Sequence, residues 1–288
     1  MTKETIGFIG TGVMGKSMAH NLLKAGYPLH VYTRTKEKAE SLLAEGAKWE
    51  DSVQQLAKKS DVVITMIGTP EDVKEVYFGK NGLLEQAKRG SYLIDMTTSS
   101  PQLAEEIAQQ AKEKGLHALD APVSGGDIGA KEGNLAIMVG GEEKDFEAML
   151  PIFQVMGNNI VRQGAAGAGQ HTKIVNQMTV APLMIGLAEA LVYAKKSGLD
   201  PQKVLQSIST GAASSWSLTN YTPRILEGDF DPGFAIKHYI KDMKIALEST
   251  ETLDFEAPGL ELALSMYKDL AKRGEAEKGI HALIKYYE

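Results

Sequence analysis

Short apolar runs alternate with longer stretches of helical periodicity through the first half of the chain. Residues 5–9, 29–33, 62–67, 92–96 and 117–121 are rich in Ile, Val, Leu or Tyr and read as strands. Between them lie amphipathic segments such as 36–45, closed by Gly46, and 102–114, closed by Gly115; glycine suits the left-handed residue that follows a helix. This alternation is the βαβ pattern of a parallel sheet. After Gly164 the strand-like runs stop, and helical periodicity covers 169–196, 201–209, 237–253 and 258–272. The expected fold class is α/β, with a doubly wound parallel sheet at residues 1–165 and an all-helical domain at 166–288, joined by a long helix. The boundary segment Gly164-Ala165-Ala166-Gly167-Ala168-Gly169 reads as a flexible hinge.

Composition narrows the function classes. A chain of 288 residues with 43% hydrophobic and 24% charged residues is an ordinary globular protein, which excludes a disordered acidic chain or a collagen-like one. The absence of cysteine excludes a disulfide framework, thiolate catalysis and cysteine-ligated metal centres, and suits a reducing compartment. Lys and Arg number 31 against 37 Asp and Glu, a net charge of −6 that provides no field for a polyphosphate backbone, so nucleic acid is not an expected partner. No apolar run approaches the roughly 18 residues of a membrane span, and no signal-peptide core precedes Gly10. A cytoplasmic protein that does not engage a membrane is expected.

Gly10-Thr11-Gly12-Val13-Met14-Gly15 follows the first strand and opens a helix. In that context the first glycine permits a tight turn, the second lets backbone approach a pyrophosphate, and the third lets helix and strand pack closely. The helix-start N–H groups then hold the diphosphate. Extended to Lys16-Ser17, the same letters satisfy the P-loop pattern, with residues 92–95 able to pose as a Walker B strand, so an NTPase is a rival reading. Spacing favours the dinucleotide: the second strand ends about twenty residues past the loop, where such folds read the adenosine ribose. That place holds Thr33-Arg34-Thr35 and no acid. A guanidinium pairs with a 2′-phosphate, so NADP is expected over NAD, although an arginine there could also stack on adenine or remain solvated.

Asp120-Ala121-Pro122-Val123-Ser124-Gly125-Gly126 follows the last strand of the parallel set and lies at the carboxyl edge of the sheet, where α/β ligands bind. Its unshielded N–H groups and the serine hydroxyl could grip a carboxylate, or the segment is a plain turn. Lys173 and Asn176 are three residues apart on the long helix and share a face; one can give a proton and the other orient an oxygen, or the lysine is simply solvated. Lys241 and Asp242 are neighbours on a later helix and are expected to serve different contacts, or to form a wet face. His171 and His238 lack zinc-site spacing, and no metal is expected. Trp216 and Phe234 read as pocket lining or core, and Met178 and Met184 as packing.

Taken together, four segments resemble the β-hydroxyacid dehydrogenase family, which includes 3-hydroxyisobutyrate dehydrogenase, tartronate semialdehyde reductase and glyoxylate/succinic semialdehyde reductases. They are residues 10–15 with Met18-Ala19-His20-Asn21-Leu22, residues 120–126, residues 167–176, and Lys241-Asp242-Met243. The resemblance covers nearly the whole length. It implies a Rossmann-type first domain and a helical domain for substrate and subunit contact. It implies Lys173 as the catalytic residue, with Ser124, Gly125, Gly126 and Asn176 holding substrate. Thr98 would contact the nicotinamide side, Lys241 would reach the cofactor, and Phe234 and Asp242 would support the site. Met66, Ile67 and Gly68 match the family's cofactor-contacting loop, with Gly68 where proline is usual. A homodimer or homotetramer acting on a small hydroxy acid or aldehyde acid is implied.

The implied chemistry moves a hydride between the nicotinamide and the carbonyl carbon of a small aldehyde acid. As an ammonium, Lys173 would stabilise the developing oxyanion and deliver the proton; as a base in oxidation it must be neutral, so a closed cleft is expected to lower its ordinary pKa of about 10.4. Besides the NTPase, the alternative is a non-catalytic dinucleotide-binding protein, which would need neither Lys173 nor Asn176. Ala213-Ser214-Ser215-Trp216 does not choose among substrates.

Overall fold

Four-residue strands without a polar face build the centre of a sheet. In the structure, a computed structural model that describes residues 3–288, β1 (Ile6–Ile9) and β4 (Val62–Thr65) are buried at every position. They are flanked by β2 (Leu29–Tyr32) and β3 (Lys48–Trp49) on one side and by β5 (Tyr92–Asp95) and β6 (His117–Asp120) on the other. These six strands are parallel in the order β3-β2-β1-β4-β5-β6. This is the doubly wound dinucleotide-binding order, which places a crevice at the carboxyl ends of β1 and β4, where the direction of winding reverses. The loops after those strands begin at Gly10 and Met66.

The sheet continues beyond the expected strands. β7 (Val123–Ser124) and β8 (Leu135–Gly140) join antiparallel, and β9 (Gly157–Gly164) lies parallel to β8, making a mixed sheet, nine-stranded among the described residues. β8 is an apolar run of strand length, but β9 reads GNNIVRQG and shows no alternation that would reveal it. It is an edge strand whose Asn158, Asn159 and Gln163 face solvent, with register shifts against β8. β3 at the opposite edge has only two residues. The expected helix over 36–45 is instead a 3₁₀ turn, Lys36–Ala39, followed by a short helix, Glu40–Ala44. Only Ala39 and Leu42 of this segment are buried, which leaves little packing to hold a longer helix in register.

The chain divides into two compact units, Met1–Lys173 and Ile174–Glu288. The second contains no strand among its described residues. Its helices Pro201–Ile208, Trp216–Glu227, Ile236–Thr252 and Pro258–Leu270, with a 3₁₀ segment Ile280–Tyr287, surround a core that includes Met184, Tyr239, Met243, Tyr267 and Leu283. Trp216–Glu227, which carries Pro223, was not expected; Ser215 caps it by accepting the Leu218 N–H at 3.0 Å.

The long helix Ala168–Lys196 corrects one expectation. By length and composition it is apolar enough to cross a membrane, although no such run was expected. Its apolar residues have another place: Ala181, Met184, Leu187, Ala188 and Leu191 are buried in the core of the second unit.

Candidate active site

The glycine loop takes the shape its spacing implies. Gly10 has φ +98°, and a Cβ there would lie 2.2 Å from the Met66 carbonyl oxygen. A Cβ on Gly15 would come within 2.0 Å of the Gly10 oxygen, so helix Val13–Lys24 seats against the loop only because that side chain is absent. At Gly12 an added Cβ meets nothing, which leaves open space beside the helix start. No side chain caps this helix and no acidic residue stands in its first turn, so its amides face the loop unneutralised. These are the features a dinucleotide pyrophosphate requires, and the loop fits that group.

The P-loop reading does not fit. The helix already begins at Val13, so Val13, Met14 and Gly15 are helical where a phosphate-wrapping loop would need free backbone, and Lys16 is exposed on the helix. Asp95, the would-be Walker B acid, is buried and accepts hydrogen bonds from Thr65 Oγ1 at 2.8 Å and Thr97 N at 3.1 Å.

At the end of β2, Thr33 is half-buried, while Arg34 and Thr35 are exposed. The Arg34 Nη1 donates to Asp72 Oδ1 at 2.9 Å. Asp72 also closes a capping box with Thr69 at the start of helix Pro70–Phe78, so the guanidinium is tethered to a fixed carboxylate. Met66, Ile67 and Gly68 are half-buried in the loop between β4 and that helix. A Cβ on Gly68 would lie 2.6 Å from Asp72 Oδ2, so glycine there leaves the capping carboxylate its room.

Beside these loops sit two buried carboxylates, paired in register at the ends of β5 and β6. Burial pushes the Asp95 carboxyl up to about 6, against the hydrogen bonds from Thr97 and Thr65 and assisted by the negative charge of Asp120. Burial raises Asp120 as well, opposed by backbone N–H groups that favour its charged form. Asp120 Oδ1 accepts from Gly167 N at 2.8 Å and Oδ2 from Gln170 N at 2.9 Å. At the end of the segment expected to be a flexible hinge, Asp120 thus holds Gly167 and Gln170. Gly167 and Gly169 are buried, and a Cβ on Gly169 would lie 2.4 Å from the Met138 oxygen and 2.7 Å from the Asp120 oxygen. Gly169 serves close packing at that position.

From that clamped start the helix projects Lys173, which is 7% exposed and whose Nζ donates to the Val123 carbonyl at 2.8 Å. The next residues are Ser124, Gly125 and Gly126, with φ +130° and +65° at the two glycines, a conformation that favours residues without a side chain. The structure thus brings Lys173 to the Ser-Gly-Gly turn. Thr98 is half-buried in the loop after β5, flanked by Thr97 and Ser99, both of which bond to Gln170. Sequence reasoning did not single out Gln170 or Asp120 for these roles, because their partners lie 47 to 73 residues away.

The remaining expected residues belong to the second unit. Asn176 Nδ2 donates to Gln177 Oε1 at 2.8 Å, and Gln177 Nε2 donates to Asp242 Oδ2 at 2.5 Å. Lys241 and Asp242 were expected to serve different contacts, yet Lys241 Nζ lies 2.8 Å from Asp242 Oδ1; the long lysine stem folds back onto its neighbour's buried carboxylate. Phe234 packs against Tyr239 with ring centroids 5.5 Å apart. Trp216, by contrast, is 53% exposed and lies edge-on to Tyr221, so it is not core. Met184 is buried, and Met178 packs beside the same core. His171 and His238 are exposed.

Comparison with known proteins agrees with this architecture along the whole chain. Residues 5–167 match the family described as the NAD binding domain of 6-phosphogluconate dehydrogenase, and residues 167–287 that described as NAD-binding of NADP-dependent 3-hydroxyisobutyrate dehydrogenase. An uncharacterized oxidoreductase of Bacillus subtilis, YkwC, is 62% identical over 99% of both chains. The 2-hydroxy-3-oxopropionate reductase of Escherichia coli is 39% identical over 98% of this chain and 97% of its own. The structure of Mycobacterium tuberculosis 3-hydroxyisobutyrate dehydrogenase with L-serine superposes with a TM-score of 0.90 at 33% identity, covering 99% of each chain.

Proposed function

The chain belongs to the β-hydroxyacid dehydrogenase family and is an NAD(P)-dependent hydroxyacid dehydrogenase, and we propose that it interconverts a small 3-hydroxy acid and its semialdehyde with Lys173 as general acid and base. The observation that carries this reading is the buried Lys173 amine beside the Ser124-Gly125-Gly126 turn at the carboxyl edge of the sheet. Bound at the glycine loop, with Gly10, Gly12, Val13, Met14 and Gly15 around its phosphates, the nicotinamide cofactor supplies or accepts the hydride.

The protein's own groups do the rest. The turn's backbone N–H groups and the Ser124 hydroxyl hold the substrate carboxylate. Lys173 then has two tasks at the reacting oxygen: it offsets the negative charge that develops during reduction, and it passes the proton that turns alkoxide into hydroxyl. In oxidation the same amine takes that proton back. The family's pattern supports, for the second unit, Asn176 as a group that orients the hydroxyl, Phe234 and Asp242 as its support, and Lys241 as a contact to the cofactor. Thr98, with the Met66-Ile67-Gly68 loop, faces the cofactor.

The Arg34 guanidinium, standing where no acid is present, supports NADP as the preferred cofactor. L-serine, found with the Mycobacterium tuberculosis relative, is itself a three-carbon 3-hydroxy acid, which supports a substrate of that size. Exposed Tyr193, Leu253, Phe255 and Leu262 support a homodimer or homotetramer, whose mass sedimentation velocity would report.

The test is a screen of NADPH and NADH against glyoxylate, succinic semialdehyde, tartronate semialdehyde and methylmalonate semialdehyde, repeated with Lys173→Met. The variant should lose turnover by at least about 1,000-fold while still binding cofactor. Normal turnover in it would refute the role.

A further inference from the structure

Gln170 closes a ring of hydrogen bonds around Thr98. Its Oε1 accepts the Ser99 N–H at 2.9 Å and its Nε2 donates to the Thr97 carbonyl at 2.8 Å, so one amide grips the backbone on both sides of Thr98. Gln170 is fully buried, and its own N–H is held by Asp120 Oδ2 at 2.9 Å. The gripped loop is tied onward: Thr97 Oγ1 accepts the Ile67 N–H at 3.1 Å, and Thr97 N donates to Asp95 at 3.1 Å. One turn along the helix stands Lys173, on the same side as Gln170.

We propose that Gln170 is a positioning residue that fixes the Thr98 loop, and through Thr97 the Ile67 loop, against the helix turn that carries Lys173. The inference rests on the reading above, in which Thr98 and Ile67 face the cofactor and Lys173 meets the reacting oxygen. A single buried amide then sets the distance between the hydride-bearing side of the reaction and the proton donor. Few residue types serve: an apolar side chain would leave Ser99 N–H and Thr97 C=O unpaired in the interior, and a carboxylate would satisfy the first and repel the second. Hydride transfer depends steeply on such distances, whereas ground-state binding of either ligand does not.

The experiment uses the full-length enzyme, NADPH and whichever aldehyde acid of the panel turns over best, with Gln170→Leu and Gln170→Glu. Gln170→Leu is expected to lower kcat about 100-fold while KM and the NADPH dissociation constant stay within about three-fold, and to express a full primary isotope effect with 4-deuterated NADPH. In Gln170→Glu the charged groups around position 170 are Asp120 and Asp95 from the strand ends, Glu105 beside Gly167, and Lys173 on the same helix. When the introduced carboxyl is protonated, its O–H donates to Thr97 and the ring re-forms; when ionised, it opposes that carbonyl. The kcat ratio of Gln170→Glu to wild type should therefore rise as pH falls, while that of Gln170→Leu stays flat.

Should Gln170→Leu fail to fold, the acid rescue of Gln170→Glu decides alone. Wild-type kcat in Gln170→Leu, or a Gln170→Glu ratio that does not respond to pH, overturns the proposal. A wild-type enzyme inactive on every aldehyde acid overturns the reading beneath it instead, and the two failures are distinct.

Discussion

Asp120 accepts the backbone N–H of Gln170 at 2.9 Å and so caps the helix that presents Lys173 from a strand end 50 residues earlier. Its other oxygen takes Gly167 N–H, so both acceptors of the carboxylate are in use. Asp120→Asn can keep only one of these bonds and turns an N–H₂ toward the other donor. It should cost about 1–3 kcal/mol of stability, measured by urea unfolding. Turnover should fall more than KM rises, because the helix start bearing the amine is loosened. An Asn variant as stable and active as wild type would show that the cap is dispensable.

Stability should respond to pH through Asp95. Its folded-state pKa of about 6 lies above the ordinary value of 3.8, so the native chain holds a proton that the unfolded chain has released. Stability therefore declines as pH rises from about 4 to about 6 and then levels, at a total cost of about 3 kcal/mol. Asn keeps the acceptor used by Thr65 and Thr97, so Asp95→Asn should fold and lose most of this decline. Asp120, also raised by burial, leaves a shallower slope of the same sign. Thermal melts from pH 4 to 7 would show a parallel, undiminished decline in the variant if Asp95 were not its source.

The glycines of the first loop should separate folding from binding. At Gly12, φ is −71° and an added methyl meets no protein atom, so Gly12→Ala should melt within a degree or two of wild type. The methyl enters the pyrophosphate space, and NADPH should bind at least about 10-fold more weakly. Gly15→Ala meets the Gly10 oxygen and should instead destabilise the fold before any ligand is added. Equal melting losses in the two variants would contradict this division.

Arg34 should matter to the cofactor and hardly at all to the fold. Its side chain is 77% exposed, so the ion pair with Asp72 contributes at most about 1 kcal/mol. Arg34→Asp places two carboxylates together where a 2′-phosphate would lie, and the ratio of kcat/KM for NADPH over NADH should fall by at least about 30-fold. An unchanged ratio would mean that Arg34 does not read the phosphate.

The parts of the site legible in the sequence are those whose chemistry is local. The glycine loop needs three glycines at fixed spacing after a strand, and Lys173 with Asn176 needs one helix face, so both stand out without a fold. What holds them was hidden, because Asp120 and Gln170 bond across the sheet edge to residues far along the chain. The adjacent pair Lys241 and Asp242 misled for the opposite reason: helical spacing says neighbours diverge, but a four-carbon stem can bend back to a buried charge. The alternation of strand and helix revealed the first six strands other than the two-residue β3, while β9, polar and at the edge, carried no pattern to recognise.

Those two edges bear on how the protein behaves at high concentration. A row of open amides is an invitation to another chain, yet one end of this sheet has a strand of two residues and the other a strand studded with asparagine, glutamine and arginine and bent by register shifts. Both features blunt an edge against pairing with another chain. Replacing Asn159 and Gln163 with valine would make the longer edge apolar and should promote self-association through its backbone, which light scattering at high concentration would report.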